Sequence, residues 1–145
     1  GNGMKVGIVQ FVKGAWETGE RLVLDKFPDL CVIRAMGEGF SWETQDRRRD
    51  IAAAENAWEM AKDMIDDESF DMVILDELNI PLRYDNLDID NVIKVLSAKR
   101  KNLHVVVTGR NAKEPLLDLA DLVTEMTMIK HPFRAGVKAQ KGIEF

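Results

Sequence analysis

The chain has 145 residues, 46% hydrophobic and 31% charged, the composition of a single soluble globular domain able to bury roughly 68–70% of its unfolded surface. Its net charge of −5 argues against bulk attraction to nucleic acid or an anionic membrane, and no apolar stretch approaches the roughly 18 residues of a membrane span. Cys31, the single cysteine, lies in an apolar run and reads as a buried thiol, which excludes an intrachain disulfide. With no visible signal peptide, the expected location is cytoplasmic.

Strand-like and helix-like runs alternate along the chain. Val6 to Val12 is nearly continuous in apolar residues and ends at Lys13-Gly14, as expected of a strand buried on both faces. Gly19 to Phe27 reads as a short helix stopped before Pro28. Cys31 to Met36 is a second strand, broken by Gly37 and Gly39. From about Gln45 to Ile65, the positions Ile51, Ala54, Ala57, Trp58, Ala61 and Ile65 recur every three or four residues, the apolar face of a long amphipathic helix with Trp58 in the core. Asp71 to Leu75 is a third strand, Ile89 to Leu96 a helix, and Val105 to Val107 a fourth strand. Pro115 to Ala120 is a helix with proline in its first turn, and Leu122 to Ile129 is a candidate fifth strand. The basic clusters Arg47-Arg48-Arg49 and Lys99-Arg100-Lys101 read as solvated helix ends. Strands separated by helices imply a three-layer α/β domain with a mostly parallel sheet.

Ligands of such sheets bind beyond the carboxyl ends of the strands, and that is where the polar and aromatic residues of interest fall. Gln10 and Lys13 follow the first strand, Phe40 and Trp42 the second, Asp76-Glu77 the third, and Thr108 and Arg110 the fourth. Phe40 and Trp42 are two apart in a glycine-flanked loop, so in an extended segment they face one side. They form either a platform for a flat ligand or a cap on the local core. Met72-Val73-Ile74-Leu75-Asp76-Glu77 has the form of a Walker B segment, in which a buried strand holds carboxylates for Mg²⁺. Acids also end many strands by chance. Arg110 is placed either to fork onto phosphate oxygens or as an ordinary surface arginine. No phosphate loop of the form G-x-x-x-x-G-K-[ST] occurs in residues 1–145, and neither His104 nor His131 belongs to a metal or nucleophile cluster.

Taken together and in order, Gly7-Ile8-Val9-Gln10-Phe11-Val12-Lys13-Gly14, Gly19-Glu20-Arg21, Gly39-Phe40-Ser41-Trp42-Glu43-Thr44-Gln45, Leu75-Asp76-Glu77-Leu78, Thr108-Gly109-Arg110 and the tail Ala135 to Phe145 closely resemble the ATP:corrinoid adenosyltransferases of the P-loop (RecA-like) type, used in vitamin B12 biosynthesis and salvage. The likeness spans essentially the whole chain; the Phe-x-Trp-Glu-Thr-Gln loop is specific, and Leu-Asp-Glu is not. The resemblance implies a RecA-like P-loop NTPase fold and transfer of the 5′-deoxyadenosyl group from ATP to the cobalt of a reduced corrinoid, releasing triphosphate. Phe40 and Trp42 would then pack under the corrin. Glu77 with Asp76 would serve Mg²⁺ (or Mn²⁺), Arg110 would contact phosphate, and Lys13 and Gln45 would line the ligand pocket. The resemblance also implies a reductase supplying the electron, a homodimer, and no nucleic-acid or membrane partner.

Family members place a strand, a phosphate loop and a helix before the strand that here starts near Lys5. Gly1-Asn2-Gly3 therefore corresponds either to the turn before that strand or to the stub of the loop itself. In the first alignment the whole phosphate-binding unit is absent from residues 1–145, and in the second the helix after the loop is; the expectation is a single domain with the N-terminal strand and phosphate loop missing, and the chain by itself is expected to be impaired. Two other readings stand beside the enzyme. One is a non-catalytic nucleotide- or corrinoid-binding module of the same fold, and the other a RecA-like ATPase acting on nucleic acid, against which the acidic charge weighs.

Overall fold

The computed structural model describes residues 1–12, 19–36, 47–140 and 142. Four parallel strands form one sheet: β1 (Val6–Gln10), β2 (Cys31–Ala35), β3 (Met72–Asp76) and β4 (His104–Val107), in the order β2-β1-β3-β4. The helices between them are α1 (Gly19–Leu24), α2 (Arg47–Asp66), α3 (Asn79–Arg83) and α4 (Ile89–Ala98); α5 (Glu114–Leu119) and a 3₁₀ turn at Pro132–Ala135 follow β4.

One face of the sheet is sealed by α2, α4 and α5. Val9, Val73 and Leu75 are fully buried on that face, and they share one core with Ala54, Ala57, Trp58, Ala61, Val92, Leu96 and Leu116. The small residues of the α2 stripe let the helix sit close to β1, where Gly7 meets it. A Cβ on Gly7 would lie 2.8 Å from Met64 Sδ and 3.2 Å from the Phe70 ring. Trp58 is in the core as its spacing predicts, and its Nε1 donates to Asn91 Oδ1 at 2.8 Å, joining α2 to α4 while satisfying the one polar atom of the indole.

The other face carries α1, packed against β2. Ladder register aligns Ile33, Ile8, Ile74 and Val106 in one row across it. Ile33 is buried, Ile8 and Ile74 are half-buried, and Val106 is 39% exposed. Cover therefore thins from β2 towards β4, so the expectation of strands buried on both faces holds for one face and only partly for the other.

Three expectations change. Leu122–Ile129 forms no strand: Leu122 is 84% exposed and Met126 93%. An apolar run becomes a strand only where a ladder partner takes up its N–H and C=O groups, and no described residue does so. Cys31 is half-buried rather than buried, because β2 is an edge strand; burial and then the nearby Asp25 charge push its thiol pKa up. Of the second basic cluster only Lys101 is a solvated end. Arg100 donates to Ile65 O at 2.9 Å, to Asp67 O at 3.2 Å and to Phe70 O, so it caps the carboxyl end of α2, while Lys99 Nζ donates to Leu103 O at 2.9 Å. A further element, not predicted from the sequence, is α3 just after the acids. Its Pro81 lies in the first turn, where an absent N–H costs nothing.

Candidate active site at the carboxyl edge of the sheet

The register brings the predicted polar residues to one line. Gln10 pairs with Asp76 across the β1–β3 ladder, and Thr108 is the first residue beyond β4. Gln10 is buried at 4% exposure and its Nε2 reaches Asp76 Oδ2 at 3.4 Å. Thr108 Oγ1 donates to Asp76 Oδ1 at 2.9 Å and accepts from the Glu77 backbone N–H at 3.0 Å. Backbone bonds from Phe11 N to Asp76 O (3.0 Å) and from Thr108 N to Leu75 O (3.2 Å) tie the three strand ends together. Asp76 is thus held by a neighbour on either side, with its carboxylate half-buried and neutral donors at both oxygens.

Glu77 is built differently. Its φ is +62°, a left-handed conformation costing an L residue about 1–2 kcal/mol, and the Thr108 hydroxyl on its N–H helps keep it there. The turn after β4 also carries positive φ, at Gly109 (+130°) and Asn111 (+56°). Gly109 cannot carry a side chain: a Cβ would stand 2.8 Å from Asn79 Cβ and 3.3 Å from Glu77 Oε2. The Glu77 carboxylate and the Asn79 side chain therefore flank the same glycine. Asn79 N approaches Thr108 O at 3.4 Å, and Asn79 is buried at 6% exposure.

The structure thus brings Asp76, Glu77, Thr108 and Gln10 together, with exposed Arg110 two residues past Thr108 on the same edge. Lys13, Phe40, Trp42 and Gln45 lie outside the described residues; the last described residue before Phe40 is Met36, whose N–H donates to Gln10 O at 3.1 Å, and the next after Gln45 is Arg47, where α2 starts. Among the described residues no group of three or more His, Cys, Asp or Glu side chains is gathered for a metal. The donors present (two carboxylates, a hydroxyl and an amide carbonyl) are all hard oxygens, which fits a Mg²⁺ or Mn²⁺ ion held by one or two carboxylates with water and phosphate completing its shell.

Two features escaped the sequence. Asn79 was hidden in the apolar turn Leu78-Asn79-Ile80-Pro81-Leu82, though an amide just after two acids is itself a signal. Asp85, on the α3–α4 connection, receives a 2.5 Å ion pair from Lys113, the residue before α5. That hydrogen bond and charge, with a smaller contribution from Arg47, hold the Asp85 carboxyl below the usual range. These residues border a cleft of about 370 Å³ that also touches Ile51 and Glu55 of α2. A second cleft, of about 500 Å³, lies between α2 and α4 beside Lys62 and Arg100 and includes none of the strand-end residues.

The profile of the family described as "ATP:corrinoid adenosyltransferase BtuR/CobO/CobP" matches residues 1–145. The chain belongs to the ATP:corrinoid adenosyltransferase family. Among relatives of this adenosyltransferase-family chain, the corrinoid adenosyltransferase of a Sinorhizobium species is 58% identical over 146 residues, covering 99% of this chain and 68% of that protein. The corrinoid adenosyltransferase of Pseudomonas aeruginosa is 52% identical over 145 residues, covering 100% of this chain and 71% of the relative. Corrinoid adenosyltransferase CobA of Salmonella typhimurium is 46% identical over 145 residues, covering 100% and 73%. The α/β fold with its parallel sheet agrees with the RecA-like class that the resemblance implied. No helix among the described residues is long and apolar enough to cross a membrane.

Proposed function

We propose that the protein transfers the 5′-deoxyadenosyl group of ATP to the cobalt of a reduced corrinoid. The observation that carries this reading is family membership over residues 1–145 coinciding with a hydrogen-bonded acid pair at the strand end where such a sheet binds its ligand. In the reaction, the electron pair of cobalt(I) forms the bond to ribose C5′. The C5′–O bond breaks, and triphosphate leaves with the electron pair of that broken bond. The protein supplies no nucleophile; its tasks are positioning and stabilising charge on the leaving group.

Asp76 and Glu77 would hold Mg²⁺ or Mn²⁺, which when bound supplies positive charge opposite the triphosphate. Thr108 keeps the Asp76 carboxylate oriented and fixes the Glu77 backbone. Arg110, exposed at the same edge, is free to fork onto phosphate oxygens. Phe40 and Trp42 are assigned the lower face of the corrin, where apolar rings would keep an axial ligand off cobalt and ease reduction of cobalt(II). Lys13 and Gln45 are assigned to the ligand pocket. A separate reductase delivers the electron, and the protein works in the cytoplasm as a homodimer. The outer edge of β4, which no described strand pairs, supports the reading that this single domain is completed by a further strand and phosphate loop.

The test is direct. Cob(I)alamin generated chemically is incubated with ATP, Mg²⁺ and the protein, following formation of light-sensitive alkylcobalamin and release of inorganic triphosphate in equal amounts. Release of ADP and phosphate, with no cobalt–carbon bond, would refute the proposal. The absence of a phosphate-loop motif in residues 1–145 favours one other reading, a non-catalytic module, for which corrinoid would bind without any triphosphate appearing.

A further inference from the structure

Asn79 Oδ1 is buried with no hydrogen-bond partner, although it belongs to a residue only 6% exposed. Among the described residues the one other side-chain atom in this state is Arg100 Nε, whose two terminal guanidinium nitrogens both donate to backbone carbonyls. A carbonyl taken out of water without a donor is unfavourable, and alanine would remove the penalty. The orphan is also specifically placed. Asn79 Cβ and Glu77 Oε2 lie 2.8 and 3.3 Å from the position a Gly109 side chain would occupy, so the root of the Asn79 side chain and the carboxylate proposed to serve the cation flank one small space.

A hydrated divalent cation brings the missing donor to that space. Mg²⁺ dehydrates reluctantly and keeps several waters, whose polarised O–H groups seek acceptors just outside the ligand sphere. We propose that Asn79 is a positioning residue of the acid pair, accepting through Oδ1 a hydrogen bond from a water carried by the cation that Asp76 and Glu77 hold. Rotation about the Cβ–Cγ bond exposes the carbonyl to that water. Gly109 permits the motion because no side chain stands against Asn79 there. This inference rests on the assignment of the acid pair as a cation site.

The experiment titrates Mn²⁺ alone into the protein, reading free Mn²⁺ by its electron paramagnetic resonance signal, with thermal unfolding measured in parallel. Asn79→Ala is expected to weaken Mn²⁺ binding about tenfold. It is also expected to unfold at or above the parent temperature in the absence of metal. Asn79→Asp, which keeps an acceptor, is expected to retain Mn²⁺ affinity. Equal affinity in Asn79→Ala and parent overturns the positioning role and leaves the acid-pair assignment standing. A lower unfolding temperature in both variants with unchanged Mn²⁺ binding assigns Asn79 a packing role instead and also overturns the proposal. Parent protein that binds Mn²⁺ no better than an Asp76→Asn/Glu77→Gln double variant removes the site itself, and the inference with it.

Discussion

Thr108→Val is the most incisive perturbation of the strand-end site, because valine keeps the shape of threonine and removes only the hydroxyl. That hydroxyl donates to Asp76 Oδ1 at 2.9 Å and accepts from Glu77 N–H at 3.0 Å. Loss of a hydrogen bond to a charged group costs about 1.5–3 kcal/mol, and an N–H left partly buried and unpaired costs about 1–3 kcal/mol. Both groups are half-buried, so water recovers part of each, and a net loss of about 2–4 kcal/mol is expected. Glu77 adds a second consequence. Its left-handed backbone costs about 1–2 kcal/mol, and without the Thr108 acceptor the residue is released to relax and carry its carboxylate away. Urea unfolding followed by circular dichroism should show a midpoint shift at unchanged slope, with adenosyl transfer falling at least tenfold. Thr108→Ser should restore most of both. If Thr108→Val unfolds within about 0.5 kcal/mol of the parent and transfers at the parental rate, the hydroxyl bridge is not what organises the acid pair.

Gly109→Ala should destabilise by about 1–3 kcal/mol, since it combines φ of +130° with a Cβ 2.8 Å from Asn79 Cβ; an alanine variant with parental unfolding would show that the turn relaxes freely. Phe40→Ala and Trp42→Ala should each cut turnover with cobalt(II) substrate sharply while leaving ATP affinity intact; unchanged turnover would reduce the rings to a cap on the core. The Asp85–Lys113 pair yields a pH signature. The Asp85 carboxyl is lowered in the fold by Lys113, so its stabilisation is present above the ordinary aspartate pKa of about 3.9 and disappears as pH falls through the lower folded value. Lys113→Met should accordingly be less stable than the parent at pH 7 and indistinguishable from it near the acid limit; a difference that persists there would assign the effect to packing.

Periodicity alone determined much of this protein. The alternation of apolar runs located the four strands to within a residue or two, and the three-four spacing of Ile51 to Ile65 identified the face of α2 that meets the sheet with Trp58 in the core. Those patterns are local: they follow from which side of a helix or strand must leave water. The acids at Asp76-Glu77 were legible for the same reason, being the first polar residues after a buried strand. The fate of Leu122–Ile129 was not, because an extended apolar segment becomes a strand only when a neighbouring edge accepts its hydrogen bonds. Nor was the engagement of Arg100, whose basic neighbours suggest solvent while the chain brings it to the carbonyls that end α2. Above all, the Thr108 bridge and the crowding of Glu77, Asn79 and Gly109 join residues about thirty apart, and only ladder register, set by packing across the whole sheet, decides that they meet.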